Sequence, residues 1–425
     1  MTSLVSAVRT QVLGLVARRF AGGNGPYAGL SMLPDKILWP LHRDGLDPVP
    51  QMARWRAERP VTRLPLPFGI RAWLVTGYEP VRAVLGSVDG YSNDFGKFAG
   101  RIGMGVGQDP GGLGFADPPV HTRLRKVLTP EFTMRRLARL QPRIEAIVAG
   151  RLDAMAELPT GRADLWHDFA LPIPALTICE LLGVPYADRE YFQKLSTARF
   201  DLAEGAGASL DAVSESLGYL GGLIEQQRRE PGEGLLGSLI RTHGDEIDDR
   251  ELAGLADGVL TGGLETSASM LALGALVLMT NPVMAERMRA GDGVDEMVEE
   301  LLRYLTVVQV AFPRVATRDV RVGDADIRAG DVVMCSLSGA DRDDLIGADP
   351  HRIDPDRAPN RSHMAFGFGI HRCIGAELAR MELRTAYPAL VRRFPAMSPA
   401  VPPAELKFRK ASIVFGLDEL PVTLG

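Results

Sequence analysis

The sequence contains little cysteine, little lysine and no excess of positive charge. Three of its 425 residues are cysteines, Cys179, Cys335 and Cys373, and none of them forms a C-x-x-C pair. An odd number without a pairing motif argues against a disulfide framework and favours a reducing compartment. Six of the 48 basic residues are lysines, which is typical of GC-rich bacterial genomes. The net charge of −5 argues against a general nucleic-acid binder, because such proteins carry a strong basic excess.

The apolar stretches are too short to predict a membrane span. The stretch 258–280 is interrupted by Glu265, which leaves 15 uncharged residues, fewer than the ~18–20 that cross a bilayer. The first 34 residues hold no acidic side chain, and residues 4–20 fit an amphipathic surface helix. We expect a cytoplasmic protein with a variable N-terminal helix, and weak contact of residues 4–20 with a membrane surface is the alternative.

Helical periodicity dominates the chain. The longest pattern runs from Asp248 to Thr280 and predicts a deeply buried helix, and Pro388 is expected to kink or end the final helix. Short strands are predicted at 320–322, 325–328 and 332–336, and a hairpin at 412–421. We therefore predict a mostly α fold with a small β portion. The predicted organisation is a variable N-terminal extension over 1–40 and a single domain over 41–425.

One cysteine lies in a setting that suits a metal-bound thiolate. In Phe366–Gly375, which reads FGFGIHRCIG, Gly367 and Gly369 let the backbone turn tightly and pass close to a flat ligand. A helix is predicted to begin just after Cys373, so its free N–H groups and positive dipole end face the sulfur. His371 and the arginine after it add donors or positive charge. All of these favour a thiolate, which is an axial ligand of some haem irons. The other two cysteines lie in apolar runs and are expected in the core.

This segment resembles the haem-binding motif of the cytochrome P-450 family, F-G-x-G-x-[HR]-x-C-x-G. It matches at every fixed position, which are Phe366, Gly367, Gly369, His371, Cys373 and Gly375. Six specified positions make this a strong motif. The resemblance extends over roughly residues 41–424. It implies a single-domain cytochrome P-450 fold, with a long central helix over haem b (iron protoporphyrin IX) and the Cys373 thiolate as the metal ligand.

A second match lies in the predicted long helix, where residues 262–266 read GGLET. This string fits the family pattern [AG]-G-x-[DE]-T. Adjacent glycines in a helix cost about 1 kcal/mol each relative to alanine, and here they fit a local widening that admits O2. The resemblance implies that Glu265 and Thr266 are catalytic and deliver protons. The alternative is a packed glycine with a threonine bonded to its own helix.

A third match is Glu300 with Arg303, the E-x-x-R motif of the family. On an ordinary helix such a pair is solvated and worth only ~0.2–0.5 kcal/mol. The resemblance implies that Arg352, in the segment DPHRIDP, joins the pair. The three residues are then a structural network on the haem side of the fold and take no part in catalysis.

Haem carries two propionates, and buried carboxylates require charged donors. The resemblance implies four such donors. His121 and Arg125 fit the motif H-x-x-x-R on one helix face, Arg314 lies in the segment FPRVA, and His371 lies in the cysteine segment. Because these donors come from three distant parts of the chain, their convergence is a prediction about the fold.

The segments that line the distal pocket in this family are apolar in this chain. The candidate pocket residues are Phe95, Met104, Val106, Val259, Gly262, Val307, Val310, Ala311, Ile413, Val414 and Phe415. They favour a neutral, hydrophobic substrate such as a polyketide, terpenoid, steroid or fatty acid. The alternative for each is ordinary core packing. The glycine-rich stretch 100–119 is predicted to be a surface loop or a lid over the pocket.

The resemblance implies a bacterial haem-thiolate monooxygenase that inserts one oxygen atom of O2 into a hydrophobic small molecule, by hydroxylation or epoxidation. The length leaves no room for a reductase domain, so a monomer served by a separate ferredoxin and ferredoxin reductase is expected. Four arginines form a candidate docking face for an acidic ferredoxin, or are scattered solvated charges, and these are Arg123, Arg372, Arg380 and Arg384.

Two alternative functions remain open at this point. One is a haem-thiolate enzyme that uses peroxide or performs no oxidation, and the Glu265–Thr266 pair argues against it. The other is a non-catalytic binding module of the same fold, and the intact cysteine segment with its four propionate donors argues against that.

Overall fold

The computed structural model describes residues 38–65, 71–94, 113–191, 206–358, 361–410 and 412–425. The predicted surface helix at 4–20 lies outside the described residues, as does the glycine-rich stretch up to residue 112. The described α-helices are Pro50–Glu58, Tyr78–Gly86, Val120–Leu128, Met134–Leu137, Gln141–Ala156, Pro172–Leu182, Ala206–Arg229, Leu235–His243, Asp249–Thr280, Pro282–Ala290, Val294–Leu305, Leu337–Ala340 and Ala376–Arg393.

The described strands are short and form small sheets. They are β1 (Arg43–Asp44), β2 (Asp47–Pro48), β3 (Val61–Leu64), β4 (Ala72–Val75), β5 (Tyr91–Ser92), β6 (Arg162–Asp164), β7 (Arg314–Ala316), β8 (Val320–Val322), β9 (Ala325–Ile327), β10 (Val332–Cys335), β11 (Ser398–Pro399) and β12 (Pro421–Thr423). The largest sheet has the order β3-β4-β10-β7-β5, and β10 runs parallel to β4 with Val332 opposite Ala72. A second sheet has the order β11-β12-β6, while β1-β2 and β8-β9 are two-stranded. The predicted fold class, mostly α with a small β portion, is confirmed.

The helix Asp249–Thr280, called the central helix below, organises the core. It begins with a capping box, because the Asp248 side chain accepts from the Glu251 backbone N–H and the Glu251 side chain accepts from Asp248. Among the described helices it alone is long and apolar enough to cross a membrane. That holds by length and composition only, and 72% of its most apolar window is buried inside the protein, as predicted for a deeply buried helix. It packs against Pro172–Leu182 and Ala376–Arg393, as a core helix does.

Two of the three cysteines are core residues, as predicted. Cys179 and Cys335 are buried among apolar side chains, and burial raises the pKa of each thiol to about 12. Residues 38–40 are also buried, and Leu38 packs with Val310. The division at residue 40 stays a prediction, although the packed structure already begins before it.

Two local expectations differ from the structure. The final helix does not end at Pro388 but continues from Ala376 to Arg393 with Pro388 buried inside it, so of the two predicted outcomes only a kink stays a prediction. The predicted hairpin 412–421 is shifted, because Phe408 pairs with Leu417 and Pro421 belongs to β12. We call residues 408–410 with 412–418 the C-terminal hairpin. Its tip pairs with the segment after Leu305, since Val414 lies opposite Val308.

Candidate active site

The cysteine segment folds as a tight loop that two glycines permit. Gly367 and Gly369 have φ of 69° and 77°, in the left-handed region that side chains disfavour. A Cβ atom on Gly369 would also collide with the backbone carbonyl of Leu85. The loop closes through the Cys373 N–H, which donates to the Phe366 carbonyl at 2.9 Å. The backbone therefore sets where the sulfur lies.

The Cys373 side chain is exposed, yet surrounding protein raises the pKa of its thiol by desolvation. These two observations agree if the sulfur faces a recess and not the outer surface. The Gly375 N–H and the guanidinium groups of Arg125 and Arg372 act in the opposite direction and lower that pKa. Across the described residues there is no cluster of three His, Cys, Asp or Glu side chains that could hold a metal ion, so Cys373 is a single candidate ligand.

Three predicted propionate donors lie beside this loop. The rings of His121 and His371 are 4.2 Å apart, and Arg125 Nη1 donates to the Arg372 carbonyl at 2.8 Å. The pKa of His371 is lowered to about 3, first by burial and then by nearby His121 and Arg314. The structure therefore brings the helix Val120–Leu128 against the cysteine loop.

Arg314, at the start of β7, reaches the same place from the sheet. Its side chain is buried, and Nη1 donates to the carbonyls of Val84 and Leu85 at 3.0 and 3.2 Å. Because Gly369 lies against the same Leu85 carbonyl, β7 and the cysteine loop meet at the end of the helix Tyr78–Gly86.

The donors at this convergence have unmet hydrogen-bonding capacity. Both ring nitrogens of His121 and the Nε of Arg314 are buried without a partner. Buried polar atoms are nearly always paired, so these atoms fit a ligand that brings carboxylates. Together with the accessible Cys373 thiol, this donor set suits haem.

Residues 262–266 place a polar site in the middle of the central helix. Gly262 is exposed and has no atom within 4 Å of a Cβ position, and Thr266 is partly exposed. The Thr266 hydroxyl donates to the Gly262 carbonyl at 2.7 Å, and the helix is continuous through this turn. A local widening that admits O2 stays a prediction. The threonine satisfies its hydroxyl within its own helix, which was the alternative interpretation.

Glu265 is held by a residue that sequence reasoning missed. Its Oε1 accepts from Arg409 Nη1 at 2.7 Å, and each side chain is 15% exposed. Burial raises the pKa of Glu265, whereas Arg409 lowers it. The two residues are 144 positions apart, so no local pattern announces the pair.

The E-x-x-R pair is a buried network. Arg303 Nε and Nη2 donate to the two carboxylate oxygens of Glu300 at 2.7 and 2.8 Å, and the side chains are 4% and 6% exposed. Arg303 Nη1 also donates to the carbonyls of Asp341 and Pro350. This geometry joins the helix Val294–Leu305 to the chain on either side of residue 345.

The prediction that the Arg352 side chain joins this network is wrong. Its guanidinium is 68% exposed and pairs with Asp354, and only its backbone carbonyl accepts from Arg303. The third side chain of the network is that of Arg357, which is 5% exposed and whose guanidinium lies 3.6 Å from the Glu300 carboxylate. The turn after residue 350 directs the carbonyl inward and the side chain outward, and the Asp354 N–H donates to Glu300 at 2.7 Å.

The predicted pocket residues divide into three groups. Val259, Ala311, Ile413 and Val414 are partly exposed, and Gly262 is exposed. Phe95, Met104 and Val106 lie outside the described residues. The prediction is wrong for the third group, which is buried in the core and consists of Val307, Val310 and Phe415.

Phe415 shows why this last group does not face an open space. Its ring stacks on that of Phe408, with the two centroids 5.4 Å apart, and the Arg43 guanidinium lies 4.5 Å from the centroid of the Phe415 ring. The pair of Phe115 and Phe312, which was not predicted, includes a more exposed ring. Phe312 is 41% exposed and its ring lies 5.0 Å from that of Phe115.

The four arginines of the predicted docking face are mostly engaged in ion pairs. Arg123 pairs with Glu251, Arg380 with Glu299 and Glu377, and Arg384 with Asp295. Arg372 is exposed beside Cys373. A strongly basic face is therefore not formed by these four side chains.

Comparison with known proteins identifies the family. Residues 294–420 match the family model described as cytochrome P-450. The chain is 42% identical over 354 residues to cytochrome P-450 165C4 of Amycolatopsis orientalis, which covers 83% of this chain and 86% of the relative. It is 41% identical over 372 residues to the vitamin D3 dihydroxylase of Streptomyces griseolus, with 86% and 90% covered. The solved structure of P-450 StaH from glycopeptide antibiotic A47934 biosynthesis superposes with a TM-score of 0.81 at 38% identity, over 91% of this chain and 100% of that one.

These relatives share the fold along nearly the whole described chain, and the donors around Cys373 suit the cofactor of the family, a haem ligated by a cysteine thiolate. The protein is accordingly an enzyme, a haem-thiolate monooxygenase that works with redox partners on a hydrophobic substrate. On this sequence similarity and this fold, the chain belongs to the cytochrome P-450 family.

Proposed function

We propose that the enzyme hydroxylates or epoxidises a neutral natural product, of polyketide, terpenoid or steroid type, in secondary metabolism. One observation carries the proposal: buried donors without partners converge on the loop of an accessible cysteine thiol. The relative named for vitamin D3 supports a steroid-type substrate, and the one from glycopeptide antibiotic biosynthesis supports a role in secondary metabolism.

Haem bound to Cys373 would supply the binding and activation of O2. Arg125 and Arg314 would hold its propionates by charge and hydrogen bonds, and His121 and His371, whose pKa values burial lowers, would donate hydrogen bonds. The loop residues act through their backbone and shape, and these are Phe366, Gly367, Gly369 and Gly375.

Glu265 and Thr266, on the central helix, transfer protons. The Thr266 hydroxyl donates its hydrogen to the Gly262 carbonyl, so its oxygen lone pairs are free to accept a hydrogen bond. Glu265, one residue before it, takes up protons and passes them toward this hydroxyl. The Glu265 carboxyl must leave Arg409 to do so.

The substrate contacts apolar side chains. We assign Val259, Ala311, Ile413 and Val414 to this surface, because they are partly exposed on segments that meet at the C-terminal hairpin. The exposed ring of Phe312 extends it. None of these side chains is charged, which favours a neutral substrate.

Electrons come from a separate ferredoxin and ferredoxin reductase, and the enzyme acts as a monomer in the cytoplasm. The ferredoxin docks on the Cys373 side, where Arg372 and Lys126 are exposed. Because three of the four predicted arginines pair with acids, we expect weak electrostatic steering and a modest dependence of the electron-transfer rate on salt.

The absorption spectrum of the reduced, carbon-monoxide-bound protein tests the haem site. The wild type is expected to show the far-red Soret band of thiolate ligation. Cys373→Ser should lose it, and the matched control Cys335→Ser, in the core, should keep it. Haem with a band typical of histidine or neutral thiol ligation in the wild type would contradict the assignment of Cys373.

The proton role of Glu265 is tested by comparing two oxidants. Glu265→Gln is expected to slow turnover driven by O2 and ferredoxin by about 10²-fold or more, since proton transfer by a positioned group contributes ~10²–10⁴. Turnover driven by hydrogen peroxide, which brings its own protons, should be retained. Equal loss in both assays would assign Glu265 to structure.

A further inference from the structure

Arg409 connects the acid of the central helix to the C-terminal hairpin. Its Nη1 donates to Glu265 Oε1 at 2.7 Å, and its Nε donates to Asp418 Oδ1 at 2.6 Å. The guanidinium also lies 4.6 Å above the ring of Trp166, a buried side chain. The Arg409 guanidinium is therefore shared between the carboxylates of Glu265 and Asp418, and its contact with the Trp166 ring restricts its movement.

The C-terminal hairpin, which carries Arg409, is held by a hydrogen bond between its two arms and by packing on the central helix. The Arg409 N–H donates to the Gly416 carbonyl at 2.9 Å, so Arg409 and Asp418 occupy the two arms near its base. A Cβ on Gly416 would lie 2.6 Å from Ser269 Oγ, one turn beyond Glu265 on the central helix. The hairpin thus packs directly on the helix, and Arg409 cannot move far from Glu265.

The two carboxylates differ in their surroundings. Glu265 is 15% exposed, whereas Asp418 is 75% exposed and well solvated. Arg409 stabilises the ionised form of Glu265, and the negative charge of Asp418 opposes this. Burial raises the pKa of Glu265 most, and the two charges that act on it besides, Arg409 and Asp418, both lie on the hairpin. The hairpin therefore supplies the charged neighbours that favour or oppose ionisation of the buried Glu265 carboxyl.

We propose that Arg409 is the positioning residue of the Glu265–Thr266 pair, and that Asp418 sets how firmly Arg409 holds Glu265. This rests on the proposed proton role of Glu265. While ion-paired, the Glu265 carboxylate faces the hairpin. For proton transfer Arg409 shifts its hydrogen bonds to Asp418, Glu265 takes a proton from solvent and gives it up on the Thr266 side. The carboxylate then pairs with Arg409 again, so no charge accumulates.

The test is an infrared pH titration of the full-length, haem-loaded protein in its resting state, without turnover. The carboxyl stretching band that disappears in Glu265→Gln reports the protonated form of Glu265. Arg409→Gln should raise the apparent pKa of this band by about one to three pH units, as expected for a carboxylate that loses an arginine neighbour. Asp418→Asn should lower it, and Arg409→Lys should stay near the wild type.

The opposite directions of the pKa shifts expected in Arg409→Gln and Asp418→Asn distinguish a positioning role from a merely structural one. Arg409→Gln and Asp418→Asn both remove the ion pair within the hairpin, so loosening of the hairpin alone would move the band in the same direction in both. An unchanged midpoint in Arg409→Gln, or equal shifts in the two variants, overturns the inference. Should Arg409→Gln fail to fold, Asp418→Asn against Arg409→Lys still decides it.

The proposed function can fail separately. If Glu265→Gln retains O2-driven turnover, Glu265 is not a proton carrier, whatever the infrared titration shows. If turnover is lost but the midpoints do not move, Glu265 acts without Arg409 and this inference is wrong.

Discussion

Arg352 and Arg357 are five residues apart, and the structure predicts very different costs for removing them. Arg357 donates to the carbonyls of Ala348, Asp349 and Arg352, and its guanidinium faces Glu300. At about 1 kcal/mol for each hydrogen bond, Arg357→Ala should lower the free energy of unfolding by about 3 kcal/mol. Glu300 keeps its pair with Arg303, so no buried charge is left alone and the larger cost of that case does not apply.

Arg352→Ala is the matched control. Its guanidinium is 68% exposed, and an exposed ion pair is worth about 0.2–1 kcal/mol. Urea unfolding of the haem-loaded protein, followed by far-ultraviolet circular dichroism, measures both. With a slope of roughly 3 kcal/mol per molar urea, Arg357→Ala should lower the midpoint by about 1 M and Arg352→Ala by less than about 0.3 M. An equal or larger shift for Arg352→Ala would refute the network described here.

Two further predictions concern the haem loop and the core. Gly369→Ala should lose most of its bound haem, because the new Cβ meets the Leu85 carbonyl, whereas Gly262→Ala, with open space around it, should load normally. The ratio of Soret to protein absorbance measures this, and equal loading would contradict it. Burial raises the pKa of Glu382 to about 7 from 4.5. The folded state therefore holds this proton more tightly than the unfolded state, and stability falls as pH rises from 4.5 through 7, by at most about 3 kcal/mol. Glu382→Gln should raise the free energy of unfolding at pH 8 and not at pH 4, and parallel pH profiles would argue against it.

The haem loop could be predicted from the sequence because its chemistry is local. Six positions within Phe366–Gly375 specify the turn, the ligand and the following helix, and the structure folds them as one loop. The four propionate donors required the family resemblance, since His121 and Arg314 each approach His371 only through the tertiary fold.

The wrong predictions concern residues whose side-chain direction depends on the local turn. Arg352 and Arg357 are both plausible partners for Glu300, and the turn between them, which no propensity specifies, selects the second. Ile413 and Phe415 also differ in burial, although residues two apart in a regular strand lie on the same face. The segment is not a regular strand at these positions, so alternation along the sequence does not indicate which of its side chains are buried.

The sequence also does not predict ion pairs between distant residues. Arg409 lies in the segment FRKAS, where nothing marks it as the partner of an acid 144 positions earlier. A charged residue beside an apolar C-terminal segment is the signal that the sequence offers, but it does not indicate which residue is the partner.

The C-terminal hairpin is attached to the segment after Leu305 by main-chain groups. The Gln309 N–H donates to the Ile413 carbonyl at 2.9 Å, and the Phe415 N–H donates to the Val307 carbonyl at 2.7 Å. Main-chain hydrogen bonds are indifferent to side-chain identity, so positions 413 and 414 are free to vary without detaching the hairpin. On the substrate surface that we propose, substitutions at these two positions would change what the enzyme accepts, while the fully buried Phe415 keeps the hairpin in place.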